Sequence, residues 1–310
     1  MNTQLTEHPR LQVEMVLTSL YLRGAPRMQD APRHRAFTLF ESIKNSDLPL
    51  EKMILSLHQA GYVLESKILE NKDLLTWSKK QILSRNVMTF ASQCYPKQWI
   101  DKLRFGAPAA LWKKGDFPTG LFIGVVGSQN ILPPDQNFSF ESGRQIIRLQ
   151  YSLVSGGAKG ADTEAARGAL EMLQHLSSSK NHSPVQQKIV EILPYGLNGS
   201  NSRLNENNLQ CEISLCNPDG RFSTAHAMER NILIYALSEA TIVVRARLYQ
   251  GGSWHGAISA LKRNLTSILV QNDPSDPGML ALLAKGGHPL DSPSLLHQMI
   301  QWTVQQKIFP

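Results

Sequence analysis

The chain has 310 residues, 42% of them hydrophobic, and a formal net charge of +7. That length and apolar content suit one full α/β domain with a smaller module beside it, and they exclude a disordered or fibrous protein. The basic balance favours a polyanionic partner, because Lys and Arg gain affinity by displacing counterions from phosphates.

Cys94, Cys211 and Cys216 are too few, and odd in number, for a disulfide framework. Cys211 and Cys216 lack the second pair that a zinc site needs, so no metal is expected and the usage fits a reducing compartment. Met1 to Arg10 has no apolar core of a signal peptide, and runs such as Leu121–Val126 are far too short to span a bilayer. The expected setting is the cytoplasm, away from membranes.

In chain order, residues 1–92 read as a helical accessory domain. Leu11, Met15, Leu17, Leu20 and Tyr21 fall at helical spacing, as do Phe37, Leu39, Phe40 and Ile43, then Met53, Ile54, Leu57 and Ala60. Pro26 and Pro32 should break the segment, and Gly61 should stop its third helix. Residues 93–275 change character. Short apolar runs at Leu121–Val126, Ser152–Ser155, Lys188–Leu193, Thr241–Val244 and Ser267–Val270 alternate with helical stretches at Thr163–Leu176, Ser223–Leu237 and Trp254–Lys262. That alternation predicts an extended Rossmann-like α/β fold with a parallel sheet, covered on both faces. Ser177-Ser178-Ser179, near Pro184, reads as a loop. Residues 276–310 form a tail expected to pack on the Rossmann-like domain.

Three strand ends lead into turns rich in Gly and Ser, which in a parallel sheet converge on its carboxyl edge. Glycine lets a phosphate approach the backbone, and the free N–H groups of a following helix attract an anion. The first turn carries Gly127, Ser128 and Gln129. The second runs Ser155-Gly156-Gly157-Ala158-Lys159-Gly160-Ala161-Asp162. Lys159 has no core rationale there and reads as a phosphate contact. Asp162 reads as a helix N-cap, with a direct ligand role as the competing reading. The third holds Gly252 and Ser253, and Ser253 could cap a helix or touch an oxyanion. Trp254 could stack on a base or pack inside. Arg230 and Asn231 open a further helix, where Arg230 could hold a carboxylate or a ligand.

In order, these turns resemble the DprA/Smf family of DNA-processing proteins. The resemblance begins at Tyr95-Pro96 and Pro108-Ala109-Ala110-Leu111-Trp112-Lys113-Lys114-Gly115. It continues through Val126-Gly127-Ser128, Ser155-Gly156-Gly157-Ala158 with Gly160 and Asp162, and Gly196-Leu197 with Asn201 and Leu204. It then takes in Glu229-Arg230-Asn231, and Gly252-Ser253 with Ala257 and Lys262-Arg263. It closes on Gly278 to Leu282 and Lys285-Gly286-Gly287 with Pro289. It implies a homodimeric protein that binds single-stranded DNA in a basic pocket, loads a RecA-type recombinase during DNA uptake and transformation, uses no cofactor and catalyses no reaction. The DNA contacts it implies are Gly127, Ser128, Gln129, Ser155, Gly156, Gly157, Lys159, Gly160, Arg230, Asn231, Gly252, Ser253, Lys262 and Arg263.

Three positions depart from the family pattern. Gln129 stands where the family usually has a phosphate-binding Arg, Ala165-Ala166 where it has Ala-His, and Ala161 where it has Ile. Gln cannot replace the bidentate phosphate contact of Arg. Lys159, Arg167, Arg230, Arg245 and Arg247 are the cations available to compensate. The competing functional reading is a nucleotide sensor or a phosphoribohydrolase-like enzyme, as in phage defence, with Asp162 and Glu229 as its acid–base candidates.

Overall fold

The computed structural model describes residues 9–23, 33–178, 186–200 and 209–308. Pro26, Pro32, Ser179, Pro184, Asn201 and Leu204, all used in the sequence reading, lie outside them.

The N-terminal region forms helices α1 (Pro9–Leu22), α2 (Arg33–Ile43), α3 (Leu50–Gln59), α4 (Val63–Leu69) and α5 (Lys72–Leu83). Helix α3 stops as expected, with Gly61 taking a φ of +88°, a conformation that costs glycine little. Val13, Val16, Leu17 and Leu20 of α1 are buried in one continuous cluster with Phe90, Trp99, Leu111 and Leu233. The helices therefore share a core with the α/β part.

That part is a nine-stranded sheet of order β1-β2-β6-β5-β4-β3-β7-β8-β9. Its strands are β1 (Val87–Thr89), β2 (Ala110–Lys114), β3 (Phe122–Gly127), β4 (Ser152–Ser155), β5 (Ile189–Leu193), β6 (Gln210–Ser214), β7 (Ala240–Val244), β8 (Ser267–Gln271) and β9 (His288–Leu290). All pairings from β6 to β9 are parallel, while β1–β2 and β2–β6 are antiparallel. The connecting helices are α6 (Lys97–Leu103), α7 (Pro133–Arg148), α8 (Ala161–Ser178), α9 (Thr224–Leu237), α10 (Gly251–Lys262) and α11 (Pro277–Ala284), with α12 (Leu296–Ile308) at the end.

The five expected strands and three expected helices are all present, with small shifts at their ends. The sheet is nevertheless wider than the expected span. It begins at Val87, ahead of residue 93, and the tail after residue 275 supplies β9 as well as two helices. Ser177 and Ser178 belong to α8 rather than to a loop. The Gly251-Gly252-Ser253 stretch is also helical, forming the first turn of α10. Its downstream Ala257 and Ala260 are buried and hold that helix on the sheet.

Two glycines place α8. A Cβ on Gly143 of α7 would lie 1.9 Å from the Ala165 carbonyl oxygen, and one on Gly168 of α8 would lie 1.9 Å from that of Phe140. The two backbones therefore touch. Ala161, Ala165, Ala166 and Ala169 keep α8 low against the strands.

Candidate functional site at the carboxyl edge of the sheet

β3 is flanked by β4 on one side and β7 on the other. The chain moves away from β3 toward β4, and later from β7 toward β8, so the connections diverge and a crevice opens at these strand ends. The expected turns meet there. The Gly127 carbonyl accepts a 2.6 Å hydrogen bond from the Ser253 hydroxyl. Ser128 donates its N–H to the carbonyls of Val244 and Arg245, at 3.1 and 3.0 Å, and its own carbonyl accepts from Ala161 N–H at 3.2 Å. Gly160, at φ +81°, passes so close that a Cβ would sit 2.4 Å from the Ser128 oxygen. Asn231 ties α9 to α10 by donating to the Gly252 carbonyl at 3.3 Å.

Asp162 is the centre of this arrangement. It is not an N-cap, because α8 already begins at Ala161. Its buried carboxylate reaches back over the turn and accepts N–H bonds from Gly156 at 3.0 Å and Ala158 at 3.4 Å. Gly127 N–H adds a third. The Arg230 guanidinium faces it at 3.9 Å. Burial raises the Asp162 pKa, and Arg230 with the three N–H donors pulls against that rise. Burial likewise lowers the Arg230 pKa while Asp162 opposes it. The guanidinium lies directly over Gly156, where a Cβ would come within 1.0 Å of Nη1. The turn's anion hole is thus filled by the protein's own carboxylate. Beside it, the fully buried Ser155 hydroxyl and Tyr235 hydroxyl have no hydrogen-bond partner among the described residues.

The structure therefore brings together Gly127, Ser128, Ser155, Gly156, Gly157, Gly160, Arg230, Asn231, Gly252 and Ser253. Gln129 and Lys159 sit exposed on the rim. Lys262 and Arg263 do not join them. They end α10, about 15 Å from Gly252 at 1.5 Å per residue.

The compensating cations sort sharply. Arg245, in a left-handed conformation at φ +53°, is clamped by Asp135 at 2.5 Å, Asp276 at 3.1 Å and Asp273 at 3.4 Å. It rivets the N-terminal ends of α7 and α11 to β7. Arg167 pairs with Glu164 at 2.6 Å. Lys159 and Arg247 are exposed, and neither side chain makes an ion pair or hydrogen bond among the described residues. The same holds for Arg221, in the loop after β6.

Two exposed aromatics flank these cations: Phe222 next to Arg221, and Tyr249 two residues past Arg247. Trp254, by contrast, is buried and packs edge-on against Tyr249 at 5.3 Å. The sequence reading missed Phe222, Tyr249 and Arg221. Their signal was present as an Arg close to an aromatic in each of two loops, one after the apolar run of β7 and one after β6. The rim also offers main-chain donors, because α10 starts on Gly251 and Gly252, both exposed, with no side-chain cap. Free cations, stacking faces and open N–H groups can hold phosphates and flat rings without breaking an internal bond.

The model of the family described as DNA recombination-mediator protein A matches residues 86–299. Among solved structures, the chain is similar to DNA processing protein A from Streptococcus pneumoniae. That likeness is 18% identical with a TM-score of 0.59, over 94% of this chain and 98% of that one. It is also similar to DNA processing protein A from Helicobacter pylori, whose structure concerns its single-stranded DNA binding mode. There the identity is 22% and the TM-score 0.56, over 71% of this chain and 96% of that one. At these identities the likeness is one of fold. No curated protein matches the sequence significantly.

Proposed function

The chain belongs to the DNA recombination-mediator protein A family, and from that premise we propose that it binds single-stranded DNA along the carboxyl edge of its sheet. The observation that carries this reading is the rim. Lys159, Arg221 and Arg247 are free cations there, and Phe222 and Tyr249 are exposed rings beside two of them. Phosphates lie against the cations and the open N–H groups of α10, while bases stack on the two rings. The loops bearing those rings follow β6 and β7, four strand positions apart, or about 19 Å at the usual inter-strand spacing. A strand of several nucleotides bridges that distance, with the glycine turns beneath it.

In this reading the glycine turns are scaffold. Their N–H groups go to Asp162, and their hydroxyl partner Ser253 goes to Gly127. The same engagement counts against a nucleotide hydrolase, because the Asp162 carboxylate is buried and turned onto backbone N–H groups rather than toward a substrate. The wider proposal is that of the family resemblance: a homodimeric cytoplasmic mediator that hands its strand to a RecA-type recombinase.

Fluorescence anisotropy with an oligo-dT strand tests the core of it. Binding should weaken steeply with salt, with a log–log slope near −0.7 per phosphate neutralised. Lys159→Ala and Arg247→Ala should each weaken binding and flatten that slope. No binding at low salt refutes the proposal. Binding untouched by either substitution moves the interface elsewhere.

A further inference from the structure

A row of polar side chains crosses one face of the sheet beneath the glycine turns. Ser155 on β4 is in register with Glu191 on β5, Glu191 with Glu212 on β6, and Glu212 with Lys114 on β2. Register partners on neighbouring strands share a face. The row begins beside Asp162 and Arg230 and ends at the sheet's antiparallel margin.

Its charges do not balance. Asp162, Glu191 and Glu212 supply three carboxylates. Arg230 faces Asp162 at 3.9 Å and Lys114 faces Glu212 at 3.8 Å, so two cations, neither within hydrogen-bonding distance, answer three carboxylates. Glu212 is fully buried, with one oxygen accepting from Ser200 and the other without a hydrogen-bond partner among the described residues. Glu191 accepts one bond from Gln210 at 2.7 Å. Burial, then Glu212, then Asp162 push Glu191 up to about 7, against the pull of Gln210 and Arg230. The neighbouring Tyr195 hydroxyl is itself shifted up, so it stays neutral in this range.

The Glu191 carboxyl lies directly under the second turn. A Cβ on Gly157 would be 3.4 Å from its carboxyl carbon. An anion arriving on the Gly157–Gly160 turn therefore comes close to the Glu191 carboxyl, with Arg230 as the guanidinium over the neighbouring Gly156. Its charge acts on Glu191 in the same sense as Glu212 and Asp162 do.

We propose that Glu191, paired with Glu212, is a proton-binding residue of the DNA interface: a phosphate settling over the second turn draws a proton onto the pair. The proposal rests on the DNA-binding reading above. No bond other than O–H forms, and the proton comes from solvent. The sign follows from linkage. Bound phosphate raises the Glu191 pKa, so binding takes up a proton in the window between the free and bound values and takes up none well below or well above it. Besides the arginines, Arg221 and Arg247 among them, the other charged or titratable groups of this edge include Lys114, Lys159, His255, which is exposed, and His226, whose Nδ1 lies 3.2 Å from the Cys216 sulfur. Removing the Glu191 carboxyl leaves all four in place, so a pH dependence that any of them carries would persist without it.

The test is oligo-dT affinity measured from about pH 6.5 to 8.5, with calorimetry near pH 7.5 in two buffers of different ionisation heat. Affinity should fall with pH above about 7, by at most about tenfold per pH unit, with at most about 0.8 proton taken up per strand bound near pH 7.5. Glu191→Gln, almost isosteric, should abolish both the fall and the uptake. Glu212→Gln relieves the repulsion on Glu191 and should move the window to lower pH. A wild-type pH profile that survives unchanged in both variants overturns the coupling and leaves DNA binding standing. No binding at any pH overturns both.

Discussion

Replacing Gly156 by Ala isolates the buried ion pair at the centre of the strand ends. Gly156 is absent from the positive-φ residues, so alanine meets no backbone strain there. Its Cβ would fall 1.0 Å from Arg230 Nη1 and 2.0 Å from Cζ. The guanidinium must leave its place over the turn, where it is held by Asp162 at 3.9 Å and the Ile192 carbonyl at 3.5 Å. Asp162, only 4% exposed, then keeps its N–H donors but loses its counter-charge. Breaking a buried pair in this way costs about 3–5 kcal/mol. The long contacts of Arg230 place this case at the lower end, about 3 kcal/mol, or a melting temperature lower by roughly 5 °C in a chain of this size. Urea unfolding of Gly156→Ala, Arg230→Met and the double variant measures it. Methionine's flexible thioether can bend away from the new methyl group. In that background the alanine should therefore cost little, and the two single losses should exceed the double loss by about 2 kcal/mol. A Gly156→Ala loss under about 1 kcal/mol, or additive losses, would refute the steric and electrostatic reasoning together.

Arg245→Met leaves Asp135, Asp273 and Asp276 facing one another without their shared cation, and should destabilise the chain by about 3 kcal/mol at neutral pH. Although burial works to raise Asp135, Arg245, the Leu132 N–H and Gln271 hold it below its usual value, and hydrogen bonds from Ser275 do the same for Asp273. The stability these groups contribute is present above their unfolded pKa of about 4 and is lost as pH falls through the lowered values. Acid unfolding of Arg245→Met should accordingly be shallower than that of the parent. Phe222→Ala and Tyr249→Ala should each cost about 1–3 kcal/mol of single-strand affinity while leaving the salt slope unchanged; a changed slope would mean the rings act by placing cations. Gln129→Arg restores a cation to the exposed end of the first turn and should tighten oligo-dT binding, steepening the salt slope by about 0.7. Cys211, fully buried and pushed up to about 12, should resist iodoacetamide at pH 8 until the chain unfolds, whereas protection that persists in denaturant would point to another cause.

The five expected strands were legible because each carries a short run of apolar residues buried in the sheet, as with Phe122 to Val126 and Ile242 to Val244. β6 was not, because Gln210-Cys211-Glu212-Ile213-Ser214 alternates polar and apolar residues and looks like a surface strand. All five are buried. Its polar face is inside because Gln210 and Glu212 answer Glu191, Ser200 and Lys114 across the sheet, partners that lie far away in sequence. α7 was missed for a related reason. It opens on two prolines and is rich in Ser, Gln and charge, and what holds it is the contact that Gly143 and Gly168 make possible. Local periodicity reports apolar faces. It is blind to a polar row that is satisfied only in three dimensions.

The site shows the same division. Glycine runs at strand ends were read as a cradle for phosphate, because a glycine allows something to come close. What comes close to Gly156 is Arg230, and what comes close to Gly160 is the Ser128 carbonyl. The motif marks where backbones converge, and here the protein's own carboxylate supplies the anion. Asp162 accordingly fits neither of its two sequence readings, being inside the helix rather than at its cap and turned toward the protein rather than toward a ligand. Of the five cations available to compensate for Gln129, three are already engaged by Asp162, by Glu164 and by the Asp135–Asp273–Asp276 cluster. The two that remain, Lys159 and Arg247, are joined by Arg221, Phe222 and Tyr249. A residue that a fold needs is consumed by the fold. On the proposed reading, affinity for an external strand resides in the side chains that the fold leaves exposed, and those are the residues to which no packing or turn rule draws attention.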